Sequence, residues 1–385
     1  LFSFHDVSPG SAFWHPKGQL LWRTLEGAMR QLQDARGYRE ISTPIIVSKR
    51  LWEQSGHWEL YRENMFVIES EGEEFSLKPM NCPESTVIYK SRTRSYRDLP
   101  LRLAEYGRLH RNELSGTLSG LTRVRHFIQD DGHIYVRPDQ IESEIDALLG
   151  EVATVYGWFA LPVEFVFSTK PAKALGDPKL WEQAEAMIES ALKRSGAKWR
   201  LSQGDGAFYA PKIDIIVRDA LGREWQTATI QVDLAMLPER FELEYVDESG
   251  ARVRPIAIHR AIYGSLERFI GILVEHYAGA FPFWLAPEQV VIIPITDRHL
   301  EAAQSGAATL RAAGIRVSID DSSNRMQNKI RLAQEQKVPL MLVLGDKEVE
   351  AGGASPRWRD GTQEPAQSWG ELAAALAARA ASRGS

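Results

Sequence analysis

Residues 108–135 read RLHRNELSGTLSGLTRVRHFIQDDGHIY, and the rest of the chain is arranged around them. Two apolar-alternating runs, 103–109 and 124–135, are expected to be strands, joined by a Gly-, Ser- and Thr-rich loop at 112–120 that suits a long hairpin. Along the second strand alternate side chains share a face, which puts Arg123, Arg125, Phe127, Gln129, Asp131 and His133 together. A core face would be apolar. This one runs from guanidinium through aromatic ring and amide to carboxylate and imidazole, so it is either a solvated sheet face or the floor of a ligand site. Arg111 and Glu113 on the facing strand favour the floor.

The same residues carry a resemblance. Arg111-Asn112-Glu113, the loop and Arg123-x-Arg125-x-Phe127 resemble motif 2 of class II aminoacyl-tRNA synthetases, and Gln129-Asp130-Asp131-Gly132-His133 resembles the threonyl branch of that class. Tyr38 to Ile46, a helix-to-strand passage with Pro44, resembles motif 1, which implies a homodimer contact there. Proline in a strand suits an edge or interface. His259-Arg260-Ala261-Ile262-Tyr263-Gly264-Ser265-Leu266-Glu267-Arg268, after a strand expected at 255–258, resembles motif 3.

Bulk composition sets the outer bounds. A chain of 385 residues suits two or three domains, and 44% hydrophobic with 25% charged residues is ordinary for a globular protein. No apolar run reaches membrane-spanning length, so no membrane is expected. No signal peptide is visible. The chain begins with Leu1, which reads as trimmed, and its one cysteine excludes an internal disulfide and fits a reducing, cytoplasmic setting. A net charge of −5 argues against nonspecific coating of nucleic acid.

Along the chain, 17–36 reads as an amphipathic helix stopped by Gly37, 139–157 as a helix, 161–168 as a strand and 178–195 as a charged helix. A glycine-rich loop at 204–212 precedes a strand at 213–217, and Thr229, Gln231 and Asp233 share a face of the next strand. A Pro- and aromatic-rich hinge at 281–287 separates a unit in which short strands (290–295, 315–319, 340–345) alternate with helices. The expected architecture is an α+β catalytic domain on a mostly antiparallel sheet over 1–286. A smaller α/β domain follows over 287–385 and resembles an anticodon-binding domain. It ends in an Ala-rich helix and a frayed Ser-Arg-Gly-Ser.

The resemblance assigns roles that composition and spacing do not. It implies ATP-dependent activation of L-threonine and transfer to tRNA(Thr), by the catalytic and anticodon-binding parts without the amino-terminal editing region. Cys82, in Lys78-Pro79-Met80-Asn81-Cys82-Pro83, would bind Zn2+ with His133 and His259. Each of the three alone reads as structural, yet one thiolate, two imidazoles and an open position make a catalytic zinc site. Glu84-Ser85 departs from the Gly-His that usually follows this segment. Gln129, Asp131, Tyr209 and Thr229 would hold threonine. ATP with Mg2+ would be held by Arg111, Glu113, Arg123, Phe127, Gln226, Gln231, Ser265 and Arg268. Arg111, Arg268, Lys212 and His57 would act in catalysis, His57 as the base on the tRNA ribose; without the resemblance His57 reads as packed among aromatics. Ser323, Asn324, Glu348 and Arg357 would contact the anticodon. Two rivals stay open: a prolyl enzyme of the same class, which needs no metal trio, and a noncatalytic RNA-binding paralogue.

Overall fold

The computed structural model describes residues 1–383; the last two residues of the expected frayed end, Gly384 and Ser385, lie outside the described residues. Chain contacts divide the molecule into two compact units, the larger made of Ser3–Phe13 with Glu26–Ile272.

Helix α1, Pro16–Ala35, ends before Gly37. It leads to β1 (Arg39–Glu40), which starts one edge of an eight-stranded sheet. The other strands, in chain order, are β2 (Leu101–His110), β3 (His126–Val136), β4 (Val163–Ser168), β5 (Trp199–Ser202), β6 (Lys212–Arg218), β7 (Glu224–Asp233) and β8 (Ile256–Ser265). Their order across the sheet is β5-β4-β6-β7-β8-β3-β2-β1. The sheet is mixed rather than the mostly antiparallel one expected. The five inner pairings are antiparallel, but β5 on β4 and β1 on β2 are parallel. Parallel neighbours need a crossover, and helix α4 (Pro178–Ser195) supplies one between β4 and β5.

Helix α2 (Cys82–Lys90) begins at the lone cysteine, and α3 (Ile141–Gly157) packs behind the sheet. The Tyr156 hydroxyl of α3 donates to the Ile262 carbonyl at 2.8 Å and accepts from the Thr227 hydroxyl at 2.6 Å. Strand β8 is covered on both faces and almost wholly buried, so it continues to Ser265 instead of stopping at Ile258 as expected. Its ladder with β3 shifts register between Ala261 and Ser265. The Asp130 carboxylate takes the N–H groups of Ile262, Tyr263 and Gly264 at 3.0, 2.9 and 2.9 Å, donors that this irregular ladder leaves over. Gly264 has φ 70°, and a Cβ there would lie 1.8 Å from the Thr227 carbonyl oxygen. Arg260, fully buried, pairs with Asp130 at 3.2 Å, so this charge has a partner behind the sheet.

Strand β7 also carries an extra residue. The register with β6 shifts between Ile215 and Ile216, which face Ala228 and Gln226. Thr227 is the bulged residue and points back to Tyr156, so Gln226 comes round to the same face as Thr229.

In the second unit, β9 (Val290–Pro294), β10 (Val317–Ile319), β11 (Leu340–Leu344), β12 (Gly353–Trp358) and β13 (Gln367–Ser368) form a sheet ordered β10-β9-β11-β12-β13. Its first three strands are parallel. The apolar side chains of β9 and β11 meet α6 (Leu300–Ala312) and α8 (Trp369–Ala381) in one cluster, and α7 (Met326–Glu335) closes the other face. Among the described residues no helix is long and apolar enough to cross a membrane.

Candidate active site

One cleft of about 480 Å³ opens on the face of β3, β7 and β8. The odd-numbered face of β3 is its floor: Phe127, Gln129, Asp131 and His133 line it, as do Arg111, Glu113 and Arg123. Arg125 does not; its guanidinium turns to the Glu113 carbonyl and the Ser115 hydroxyl, at 2.9 and 3.1 Å.

At one end three guanidinium groups gather. Arg111 lies 4.9 Å above the Phe127 ring and donates to the Pro79 carbonyl at 3.2 Å. Arg123 pairs with Glu113 at 2.9 Å. Arg268 follows Ser265 at the start of α5 (Leu266–His276) and donates to the Thr122 and Gln226 carbonyls at 2.9 and 3.0 Å. Burial, and after it the cations Arg111 and Arg123, push the Arg268 pKa down. Among the described residues two of these charges thus lack a carboxylate in contact, and a polyanion is the ligand that would neutralise them.

At the other end, His133 and His259 occupy directly opposite positions in the β3–β8 ladder, with ring centroids 5.1 Å apart. Cys82 arrives from the start of α2, and the ligand atoms of the three lie within 4.8 Å of one another, all buried. Burial pushes the Cys82 thiol up and holds His133 well below its usual value. His259 supplies the test of fit for a metal. Its Nε2–H meets Asp233 at 2.9 Å, while Nδ1 is buried with no hydrogen-bond partner among the described residues. A ring nitrogen fixed from behind by a carboxylate, with its lone pair facing a thiol and a second imidazole, is the arrangement of a zinc ligand. The residues fit.

Asp131 stands between the two ends. Asn81 donates to it at 2.6 Å, and Gly107 makes room, since a Cβ there would lie 1.9 Å from Asn81 Oδ1. Tyr209 donates to Gln231 at 2.6 Å, and Lys212 pairs with Asp214 at 2.8 Å. Gln226, Thr229 and Ser265 complete the lining. The Glu84-Ser85 departure is absorbed in place. Glu84 lies buried 3.4 Å from Lys78, and Ser85 bonds the Cys82 carbonyl at 2.8 Å and the Tyr135 hydroxyl at 2.6 Å.

His57 is not brought into the cleft. It is fully buried, with Nδ1 2.8 Å from Ser55 Oγ and Nε2 3.0 Å from the Met80 sulfur, and burial takes its pKa down to about 3. Its aromatic neighbours Trp52, Tyr61 and Phe208 set that position. In the second unit, Ser323, Asn324 and Glu348 lie in the segments that follow the carboxyl ends of β10 and β11. Glu348 accepts from Gly345 N–H at 3.0 Å. Arg357 faces Met341, toward the other end of β11. Sequence reasoning gave no role to Asn81, Asp233 or Asp214. Only Asp233 left a signal, by sharing a strand face with Thr229 and Gln231.

Comparison with known proteins agrees with this fold. The tRNA synthetase class II core domain (G, H, P, S and T) matches residues 66–277, and the anticodon binding domain matches 289–379. The threonine--tRNA ligase of Symbiobacterium thermophilum is 55% identical over 359 residues, covering 93% of this chain and 55% of that protein. The chain therefore spans a little over half the length of such curated relatives. The RNA binding domain of threonyl-tRNA synthetase from Cryptosporidium parvum Iowa II superposes with a TM-score of 0.95 at 42% identity, over 98% of this chain and 96% of that one. A prolyl-tRNA synthetase from Cryptosporidium parvum, at 20% identity and TM-score 0.73 over 100% of this chain and 73% of that one, shares the fold. Sheet, cleft and core match together define a class II tRNA synthetase. Within that class, the chain belongs to the threonyl-tRNA synthetase family.

Proposed function

We propose that this chain joins L-threonine to tRNA(Thr) in two ATP-dependent steps, and that zinc held by Cys82, His133 and His259 selects the amino acid. The observation that carries this reading is the convergence of that trio beside Asp131, in the same cleft as Arg111, Arg123 and Arg268. Residues 1–286 would do the chemistry and 287–385 would read the anticodon, through Ser323, Asn324, Glu348 and Arg357. The exposed Ile45 and Ile46 beside Pro44 suit contact with a second copy of the chain, a homodimer.

Bound there, zinc would supply a Lewis acid with room for the amino and hydroxyl groups of threonine. Asp131 accepts from the substrate hydroxyl, with Gln129 and Tyr209 near the amino group. Valine cannot make that bond and leaves the Asp131 carboxylate with Asn81 as its one donor, so discrimination of roughly 10⁴-fold or more is expected. Serine keeps the hydroxyl and lacks one methyl, which a pocket resists by only about 10–200-fold. The cleft is therefore expected to admit serine.

In the first step the threonine carboxylate attacks the ATP α-phosphate and pyrophosphate leaves. The residues contribute alignment and charge. Arg111 neutralises the α-phosphate, Arg123 and Arg268 hold the rest of the triphosphate with its Mg2+, and Phe127 and Arg268 enclose the adenine. Glu113 reads the adenine amino group, and Gln226, Ser265 and Lys212 line the nucleotide and ribose side; Gln231, expected on that side from the sequence, bonds Tyr209 and so belongs with the amino-acid side. A role for His57 in the second step requires Met80 or Phe208 to move aside.

The test is pyrophosphate exchange by the purified chain together with metal analysis. Threonine-dependent exchange with one zinc per chain supports the reading. Exchange with proline, or none with threonine, sinks it.

A further inference from the structure

Asp214 lies on β6 behind the cleft wall, 3% exposed. Its carboxylate receives Lys212 Nζ at 2.8 Å, Ser168 Oγ at 2.9 Å, Thr229 Oγ1 at 3.5 Å and the amide nitrogen of Gln226. Three of these four donors line the cleft: Lys212, Gln226 and Thr229. We propose that Asp214 is a positioning residue that sets the hydrogen-bond polarity of this wall, so that Gln226 and Tyr209 meet the ligands as acceptors. The inference rests on the reading of the cleft as a threonine and ATP site.

A carboxylate only accepts, and every link follows from that. Gln226 can reach it only with its nitrogen, so its carbonyl oxygen is left for the cleft. Thr229 gives its proton to Asp214, and its oxygen then accepts from Gln231 Nε2 at 3.3 Å. With its nitrogen engaged, Gln231 offers Oε1 to the Tyr209 hydroxyl at 2.6 Å. The phenol proton is thereby used, and Tyr209 presents lone pairs alone. An amino group, which donates, fits Tyr209; a ribose hydroxyl fits the Gln226 oxygen. An amide in place of Asp214 could donate instead and allow each link to reverse. The other acids at the cleft have partners of their own, Glu113 in Arg123, Asp131 in Asn81 and Asp233 in His259.

The experiment is pyrophosphate exchange by full-chain variants, read as separate KM values. Asp214→Asn is expected to raise KM for both threonine and ATP by about tenfold or more, since both branches lose a charged acceptor. Thr229→Val breaks the amino-acid branch alone. It is expected to raise the threonine KM about tenfold and leave the ATP KM within about twofold, whereas Thr229→Ser keeps the hydroxyl and brings the threonine KM back toward that of the wild type. Unchanged KM values in Asp214→Asn, or equal shifts of both in Thr229→Val, overturn the inference. If Asp214→Asn does not fold, the two Thr229 variants decide. A wild-type chain without threonine-dependent exchange overturns the reading of the cleft and this inference with it; an active wild type with an indifferent Asp214→Asn overturns the inference alone.

Discussion

Asp233 accepts from Nε2 of His259 at 2.9 Å, and the same carboxylate takes the backbone N–H groups of Ala235, Met236 and Leu237 at 2.9, 2.7 and 2.9 Å. It is therefore fixed in place and selects the His259 tautomer whose Nδ1 carries the lone pair. Asp233→Asn can donate to the ring and reverse that choice. Zinc affinity is expected to fall about 10–100-fold, measured by chelator competition. An unchanged affinity means the carboxylate does not orient the ring.

Replacing the sulfur ligand separates selection from chemistry. Cys82→Ala should lose its zinc, and the preference for threonine over valine should fall from roughly 10⁴-fold toward the 10–200-fold that shape alone gives. The ratio of exchange rates for the two amino acids reads this directly. A preserved ratio would mean that selection lies elsewhere.

The guanidinium end allows a division of labour to be checked. Arg111→Ala should lower kcat for exchange about 10²–10³-fold, as expected for a donor aimed at charge that develops in the transition state. Glu113→Ala frees Arg123 and removes an acceptor for the base, so the ATP KM should rise while kcat changes less. Equal effects on kcat from both would contradict these roles.

Lys78 is 1% exposed and lies 3.0 Å from Glu105 and 3.4 Å from Glu84, with the Thr43 hydroxyl at 2.7 Å. Lys78→Met leaves two buried carboxylates without a cation, which costs about 3–5 kcal/mol. Chemical denaturation should show a loss of that size. A loss below about 1 kcal/mol would mean the pair is hydrated or neutral.

Glu267, 1% exposed, accepts from Ile128 N–H at 3.0 Å, and burial raises its pKa from 4.5 to about 8. Between those values the folded chain keeps a proton that the unfolded chain has released. The stability this gives is complete below the unfolded pKa and is lost as pH rises through about 8. The difference in thermal midpoint between wild type and Glu267→Gln should therefore move in favour of the variant from pH 6 to pH 9. A difference independent of pH rules the linkage out.

The floor of the cleft was legible because period-two alternation survives in β3, where Phe127, Gln129, Asp131 and His133 share a face as read. What that pattern could not supply was the register between β3 and β8, a pairing across more than a hundred residues that sets His133 opposite His259. The parallel edges of the sheet were missed for a related reason, since strand direction depends on crossovers rather than on composition. The extra residue at Thr227 has no glycine or proline beside it to announce it. Asp214 escaped notice because a lone polar residue in a strand reads as solvated, and Asn81 reads only as part of the segment around Cys82. His57 kept the packed position that its aromatic surroundings implied.

The displaced Thr227 brings two phases of a single strand to the cleft, the even-numbered Gln226 on one side of the offset and the odd-numbered Thr229 and Gln231 on the other. Restoring a regular ladder by giving β6 one more residue opposite Thr227 would turn Gln226 away from the cleft and leave the amino-acid half untouched, whereas deleting Thr227 would keep Gln226 on that face. On the proposed function, nucleotide recognition and amino-acid recognition along β7 are therefore separable, with the irregularity acting as the joint between them.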